Sequence, residues 1–224
     1  MLYMAFFLLS SCSFIIEKFI NDESYDVVGL KKKKLSIVFS HNVHGETHPC
    51  GCRHFPLGGL PQVAGQIKSI KKNQDVIYVD TGDTIFDSNN LPPTLLKSRV
   101  YNAKGLAKGL NDVGLKYWTP GDYDFANGID FLKEILEKKS FSMLISNLRN
   151  KETLPHKELV LIEHGPHKIF LLGMVHPDVL NSQYKNLFTL PHEFMPRMLK
   201  KLKNKKFDAN NPFHRLVVLS LIHI

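Results

Sequence analysis

Short apolar runs rich in β-branched and aromatic residues recur along the chain. Each is followed by a loop of Gly, Asp, Asn or Pro and then by a segment whose apolar positions have helical spacing. Residues 35–39 (Leu-Ser-Ile-Val-Phe) predict a strand, a long Gly/His/Pro loop follows, and a helix is expected over about 60–72. The same unit repeats as a strand at 76–79 with a helix at 95–110, then as a strand at 116–119 with a helix at 129–138. A strand at 142–145 comes next. The apolar runs 159–163 and 168–173 are separated by His164-Gly165-Pro166-His167, which predicts a hairpin. A basic helix is expected over 194–203, and the last ten residues read as a buried strand. Strands alternating with helices predict an α/β fold, with functional loops at the carboxyl ends of parallel strands.

At 224 residues and 43% hydrophobic content, the chain suits one well-buried α/β domain behind a short leader and is too small for two full-sized domains. The division expected is a leader over residues 1–11, a tether over 12–33 that includes the polar Asn21-Asp22-Glu23-Ser24, and a domain over 34–224. The net charge of +8 raises the question of a nucleic-acid partner. No recognition motif accompanies the spread Lys and Arg residues, and the densest runs, 31–34 and 200–206, flank apolar segments, so no nucleic-acid partner is expected.

Chemistry is concentrated where strands are expected to end. Ser40-His41-Asn42-Val43-His44-Gly45 follows the first, Asp80-Thr81-Gly82-Asp83 the second, Pro120-Gly121-Asp122-Tyr123-Asp124-Phe125 the third and Ser146-Asn147 the fourth. An α/β scaffold gathers metal ligands in this way, and two ions about 3.5–4 Å apart can clamp a phosphoryl displacement. The ordered set Asn42-x-His44-Gly45, Gly58-Gly59-Leu60, Asp80-Thr81-Gly82-Asp83, Gly121-Asp122-Tyr123-Asp124-Phe125 and Ser146-Asn147 resembles the 5′-nucleotidase branch of the calcineurin-like metallophosphoesterases. The likeness runs from residue 35 to about 220. It implies a four-layer αββα sandwich, incomplete at its C-terminal end, and one or two divalent metal ions. The implied substrate is a nucleotide or another phosphate ester.

Carried over residue by residue, the resemblance implies metal ligation by His44 and by a bridging Asp83. Asn42 stands where the family has an aspartate, and Asp122 where it has an asparagine; Asn147 is the further ligand candidate. Tyr123 occupies the place of the family's catalytic histidine, with Asp124 beside it as the second catalytic candidate. A phenol with a pKa near ~10 is a poorer proton donor or acceptor at neutral pH than an imidazole near ~6.5. The Gly-His-x-His motif that supplies the family's later ligands does not occur. The resemblance therefore implies a metal-dependent phosphoester hydrolase with altered ligands and weakened or absent activity.

A second cluster lies in the first loop, where His41, His44, His48, Cys50, Cys52 and His54 fall close together. Pro49-Cys50-Gly51-Cys52 is similar to a motif of a bacterial nucleotidase-like subfamily. Three readings stand together: a loop-stapling disulfide, a thiol-redox pair, and a site for a soft or borderline ion such as Cu(I) or Zn(II). The alternative to an enzyme is thus a noncatalytic metal-binding or redox envelope protein built on Cys50 and Cys52. The N-terminal MLYMAFFLLSSC has the short apolar run of an export signal, and Leu9-Ser10-Ser11-Cys12 resembles the lipobox of bacterial lipoproteins. That resemblance implies a lipid on Cys12, contact with a bilayer and a place in the bacterial envelope facing the periplasm or the surface. The competing reading is an apolar N-terminal strand with an ordinary buried thiol.

Overall fold

The computed structural model describes residues 25–30, 34–49, 58–137 and 139–220. The leader, Cys12, the Cys50–Cys52 segment and the last four residues lie outside them.

A five-stranded parallel sheet contains β2 (Leu35–Ser40), β3 (Asp75–Asp80), β4 (Leu115–Trp118), β5 (Ser142–Leu144) and β6 (His156–Lys157), in that spatial order. A four-stranded mixed sheet has the order β1 (Tyr25–Leu30), β7 (Leu159–His164), β8 (His167–Gly173) and β9 (His214–Leu219). Its β7 and β8 form the expected hairpin, antiparallel with His164 opposite His167 across the Gly165-Pro166 turn.

Alternation along the strands stacks the sheets face to face. Ile77 and Val79 of β3 point inward with Tyr117 and Leu144, meeting Val160, Ile162, Leu171 and Leu219 of the other sheet. Tyr78 of β3 points outward instead, joining Trp118 and Met143 beneath the helices. Those helices are α1 (Gly59–Lys71), α2 (Leu96–Val113) and α3 (Gly128–Leu136). Each covers the sheet with a helical stripe, for example Ala103, Leu106, Ala107 and Leu110 of α2. After the short α4 (Ser182–Lys185), α5 (Pro191–Asn204) covers the other sheet. Its Phe194, Met198 and Leu202, spaced four apart, pack on Leu159, Leu161, Phe170 and Leu172. The layers are helix, sheet, sheet, helix, as the resemblance implies.

Residues 25–30 depart from expectation, forming the edge strand β1 rather than part of a tether. β1 pairs in parallel with β7 from Tyr25 opposite Leu159 to Leu30 opposite His164. Val28 and Leu30 reach the core between the sheets, and Asp26 accepts a hydrogen bond from the Tyr117 hydroxyl at 2.5 Å, linking the two sheets. The two-residue β6 and the short α4 are likewise elements that the hydrophobic pattern does not foretell.

Candidate functional site

β2, β3, β4 and β5 are parallel, and the register shift between β3 and β4 at Tyr78/Val79 falls before their last residues, so their carboxyl ends lie side by side. Ser40 pairs with Asp80, Asp80 with Trp118 and Trp118 with Met143. The loops singled out in the sequence therefore leave one edge of one sheet.

The first two loops remain laced together past their strands. The amide of Asn42 donates to the Gly82 carbonyl at 2.9 Å, that of His44 to Asp83 at 2.9 Å and that of Gly45 to Thr84 at 2.8 Å. Asn42, His44 and Asp83 all have left-handed backbone, with φ of 52°, 52° and 53°. Such conformations cost on the order of 1–3 kcal/mol each for residues other than glycine and collect at functional sites. Outside this lace, Lys206 is the other non-glycine residue with positive φ among the described residues.

Asp83 is fully buried, and its Oδ1 accepts the Tyr123 amide at 3.1 Å. The third loop presses directly on it. A Cβ added at Gly121 would fall 2.2 Å from Asp83 Oδ1 and 2.6 Å from its amide nitrogen; one added at Gly82, with φ of 111°, would fall 2.4 Å from the Gly121 nitrogen. Both positions need glycine for this approach. Asp122 is buried in the same loop, and the half-buried Tyr123 places its ring 5.6 Å from the His44 imidazole, tilted by 39°. His44 Nε2 is buried and makes no hydrogen bond among the described residues. A buried polar atom without a partner costs roughly 1–3 kcal/mol, and such atoms call for an explanation such as an ion or a water.

Two other candidates are bound up in the scaffold. Asp124 is fully buried, and its carboxylate accepts the amides of Thr84 at 2.8 Å, Ile85 at 2.9 Å and Gly121 at 2.9 Å. It clamps the second loop to the third and has no face toward solvent. Burial, reinforced by the nearby Asp80 and Asp83 and opposed by the amide bonds, pushes its pKa up to about 8. Asn147 donates to the carbonyls of Val175 at 2.7 Å and Thr189 at 2.8 Å, and its Oδ1 accepts the Val175 amide at 3.1 Å. Its amide thus holds the loop after β5 in place. Asn42 is exposed beside the lace.

Asp80 stands in the strand-end motif but receives no role from the sequence reading. It is fully buried and accepts from Ser40 Oγ at 2.5 Å, from the Gly82 amide at 2.9 Å and from Thr84 Oγ1. Burial raises its pKa to about 6 against those bonds. The available signal was its place as the last residue of β3, where an aspartate must find several donors to remain buried. Further along the loop after β3, Asp87 forms an ion pair with Arg99 at 2.6 Å.

The donor types present, an imidazole with an unbonded nitrogen and two buried carboxylates, suit a divalent ion. Among the described residues, however, no three His, Cys, Asp or Glu side chains are grouped closely enough to hold one. What the fold does bring together is His44, Asp83 and Asp122, on loops that leave the same edge of one sheet. Cys50, Cys52 and His54 lie outside the described residues, and no described helix is long and apolar enough to cross a membrane.

No protein-family model matches this chain, and no curated protein matches it. Solved structures do. A 5′-nucleotidase precursor from Thermus thermophilus superposes with a TM-score of 0.64 at 16% identity, over 84% of this chain and 37% of its own. The calcineurin-like phosphoesterase YfkN of Bacillus subtilis gives 0.61 at 19% identity, over 85% of this chain and 62% of its own. The sulfate thiohydrolase SoxB of Thermus thermophilus gives 0.62 at 16% identity, over 85% and 44%. The fold is that of the 5′-nucleotidases and calcineurin-like phosphoesterases, and this chain spans less than two thirds of the length of each of these proteins. The third of them is named a sulfate thiohydrolase and not a phosphoesterase, so the fold alone does not select a substrate.

Proposed function

We propose that this chain is a phosphoester hydrolase of the metallophosphoesterase type with a depleted metal centre, acting slowly on a nucleotide or a related phosphate ester. The observation that carries this reading is the buried His44 Nε2, without a hydrogen bond among the described residues, in a strained loop laced to Asp83. His44 and Asp83 would hold one side of a divalent ion, and Asp122 would add negative charge. The ion, when bound, supplies Lewis acidity at the phosphoryl oxygens. The chain's own residues orient and neutralise: the Tyr123 amide fixes Asp83 Oδ1, and the Tyr123 hydroxyl is the available proton donor to a leaving group. A phenol in place of the imidazole that the resemblance implies supports low turnover.

The test is product release with and without added Mn²⁺: phosphate from AMP, UMP from UDP-glucose, and p-nitrophenol from p-nitrophenyl phosphate and bis-p-nitrophenyl phosphate. Slow, metal-dependent release that disappears in His44→Ala and in Asp83→Asn is expected. No release from any of these esters, or release that persists in both variants, overturns the proposal. The Leu9-Ser10-Ser11-Cys12 sequence further supports envelope anchoring through a lipid on Cys12. Labelling with a radioactive fatty acid should mark the wild-type chain and not Cys12→Ser; equal labelling of both, or of neither, removes the anchor.

A further inference from the structure

A cavity of about 420 Å³ opens between the loop after β5 and one face of α5. None of His44, Asp83 or Asp122 lines it; of the ligand candidates only Asn147 does, and its amide is taken up by Val175 and Thr189. Its charged lining is Arg149, Arg197, Lys201 and Glu158, so three cations face it against one carboxylate. That carboxylate is already shared, with Glu158 Oε2 lying 2.8 Å from Lys201 Nζ and 3.0 Å from Lys151 Nζ.

Both arginines are anchored through the inner nitrogen of the guanidinium. Arg149 Nε donates to the Phe188 carbonyl at 3.0 Å and Arg197 Nε to the Glu193 carbonyl at 3.1 Å. The terminal nitrogens of Arg197 have no bond among the described residues, and one of those of Arg149 has a single long contact, 3.7 Å, with Glu193. Guanidinium groups held in this way have already lost much of their freedom, so less is given up when their outer edges grip an oxyanion. The wall beneath them is rigid. The Arg149 amide donates to Leu187 at 2.8 Å, Leu148 bridges Phe188, and Asn147 ties the loop to Val175 and Thr189. Across the opening, Phe194, Arg197, Met198 and Lys201 lie on one face of α5, with the two apolar residues buried and the two cations at the cavity.

We propose that this cavity is a binding site for the phosphate group of a small phosphorylated molecule, gripped by Arg149, Arg197 and Lys201 and separate from the His44–Asp83 lace. Guanidinium forks match the paired oxygens of phosphate, and charge-assisted bonds are the strong ones. The volume falls within the ~300–1,000 Å³ typical of small-molecule sites, so it accommodates more than a free phosphate ion.

The test is calorimetric titration of the full chain with inorganic phosphate, pyrophosphate and AMP in 150 mM salt, a concentration that screens loose surface attraction. Saturable one-to-one binding of pyrophosphate or AMP is expected, weakened about tenfold or more in Arg197→Gln. Glu158→Gln should tighten it several-fold, because the competing carboxylate is gone, and a gain of affinity cannot come from misfolding. Asp83→Asn should leave it unchanged. Phosphate binding as tightly as AMP would assign the site to the free ion; AMP binding more tightly would assign it to an ester, and either supports the site. Absence of saturable binding, equal affinity in Arg197→Gln, or loss in Asp83→Asn with retention in Arg197→Gln overturns it. The last result would instead credit the His44–Asp83 lace, leaving the proposed hydrolase reading intact.

Discussion

Replacing Asp124 with alanine removes the acceptor of three buried amides at once, those of Thr84, Ile85 and Gly121. Each stranded amide costs about 1–3 kcal/mol, and water entering the vacated space recovers part of that, so the expected loss is about 3–5 kcal/mol. This is a large fraction of the roughly 5–15 kcal/mol that holds an ordinary domain. Asp124→Asn keeps an oxygen for Thr84 and Ile85 but turns an amide toward the Gly121 N–H, and should lose about 1–2 kcal/mol. Urea unfolding followed by the fluorescence of Trp118 measures both, since it is the chain's one tryptophan and is buried against Phe141. The same clamp predicts a pH dependence. Asp124 is raised to about 8 by burial, above an unfolded value near ~3.9, so the folded chain binds the proton more tightly. Its contribution is full below pH ~4 and is lost as pH rises through about 8, giving the wild type a steeper decline in stability over that window than Asp124→Asn, which keeps only the part due to Asp80, raised to about 6. An alanine variant within about 0.5 kcal/mol of wild type, or identical pH slopes in wild type and Asp124→Asn, would refute this reasoning.

Gly121→Ala should displace Asp83, because the new Cβ meets both its side chain and its backbone nitrogen; the expectation is loss of metal-dependent hydrolysis with a lowered urea midpoint, and unchanged hydrolysis would contradict it. Tyr123→His places an imidazole beside His44, and hydrolysis at pH 7 should rise about tenfold or more, short of the ~10²–10⁴ of a complete acid–base site; an unchanged rate would show that proton transfer is not what limits the reaction. Tyr117→Phe removes the hydrogen bond that joins the two sheets through Asp26 and should cost about 1–2 kcal/mol in urea unfolding, with a neutral result placing that bond outside the folded state's balance.

Much of the sandwich can be read from the chain because its strands have clear periods. In Asp75–Asp80, Ile77 and Val79 alternate with Tyr78, and α5 repeats an apolar residue every fourth position from Phe194 to Leu202. β1 escaped notice because it offers the inner core little more than Val28 and Leu30 and stands next to a run of lysines; its pairing with β7, more than a hundred residues away, makes it a strand. At the site, the order of strand-end motifs pointed to His44, Asp83 and Asp122, and the parallel register brings their loops to one edge. What the motifs could not convey was which polar side chains serve the backbone. Asp124 and Asn147 have the same chemistry as ligands, and only the positions of the amides and carbonyls around them show that they clamp loops. The arginine-lined cavity was invisible for a similar reason, since Arg149 and Arg197 come from separate elements and no motif joins them.

The central claim, that the His44–Asp83 lace is one side of a metal-dependent phosphoester site, is tested most directly by Mn²⁺ binding. Electron paramagnetic resonance of the free ion during titration of the full chain, beside His44→Ala, Asp83→Asn and Cys52→Ser, gives the reading. The account predicts saturable uptake by the wild type and by Cys52→Ser that is lost in the other two. Uptake that is absent, that survives both the His44 and Asp83 variants, or that vanishes with Cys52 alone would contradict it.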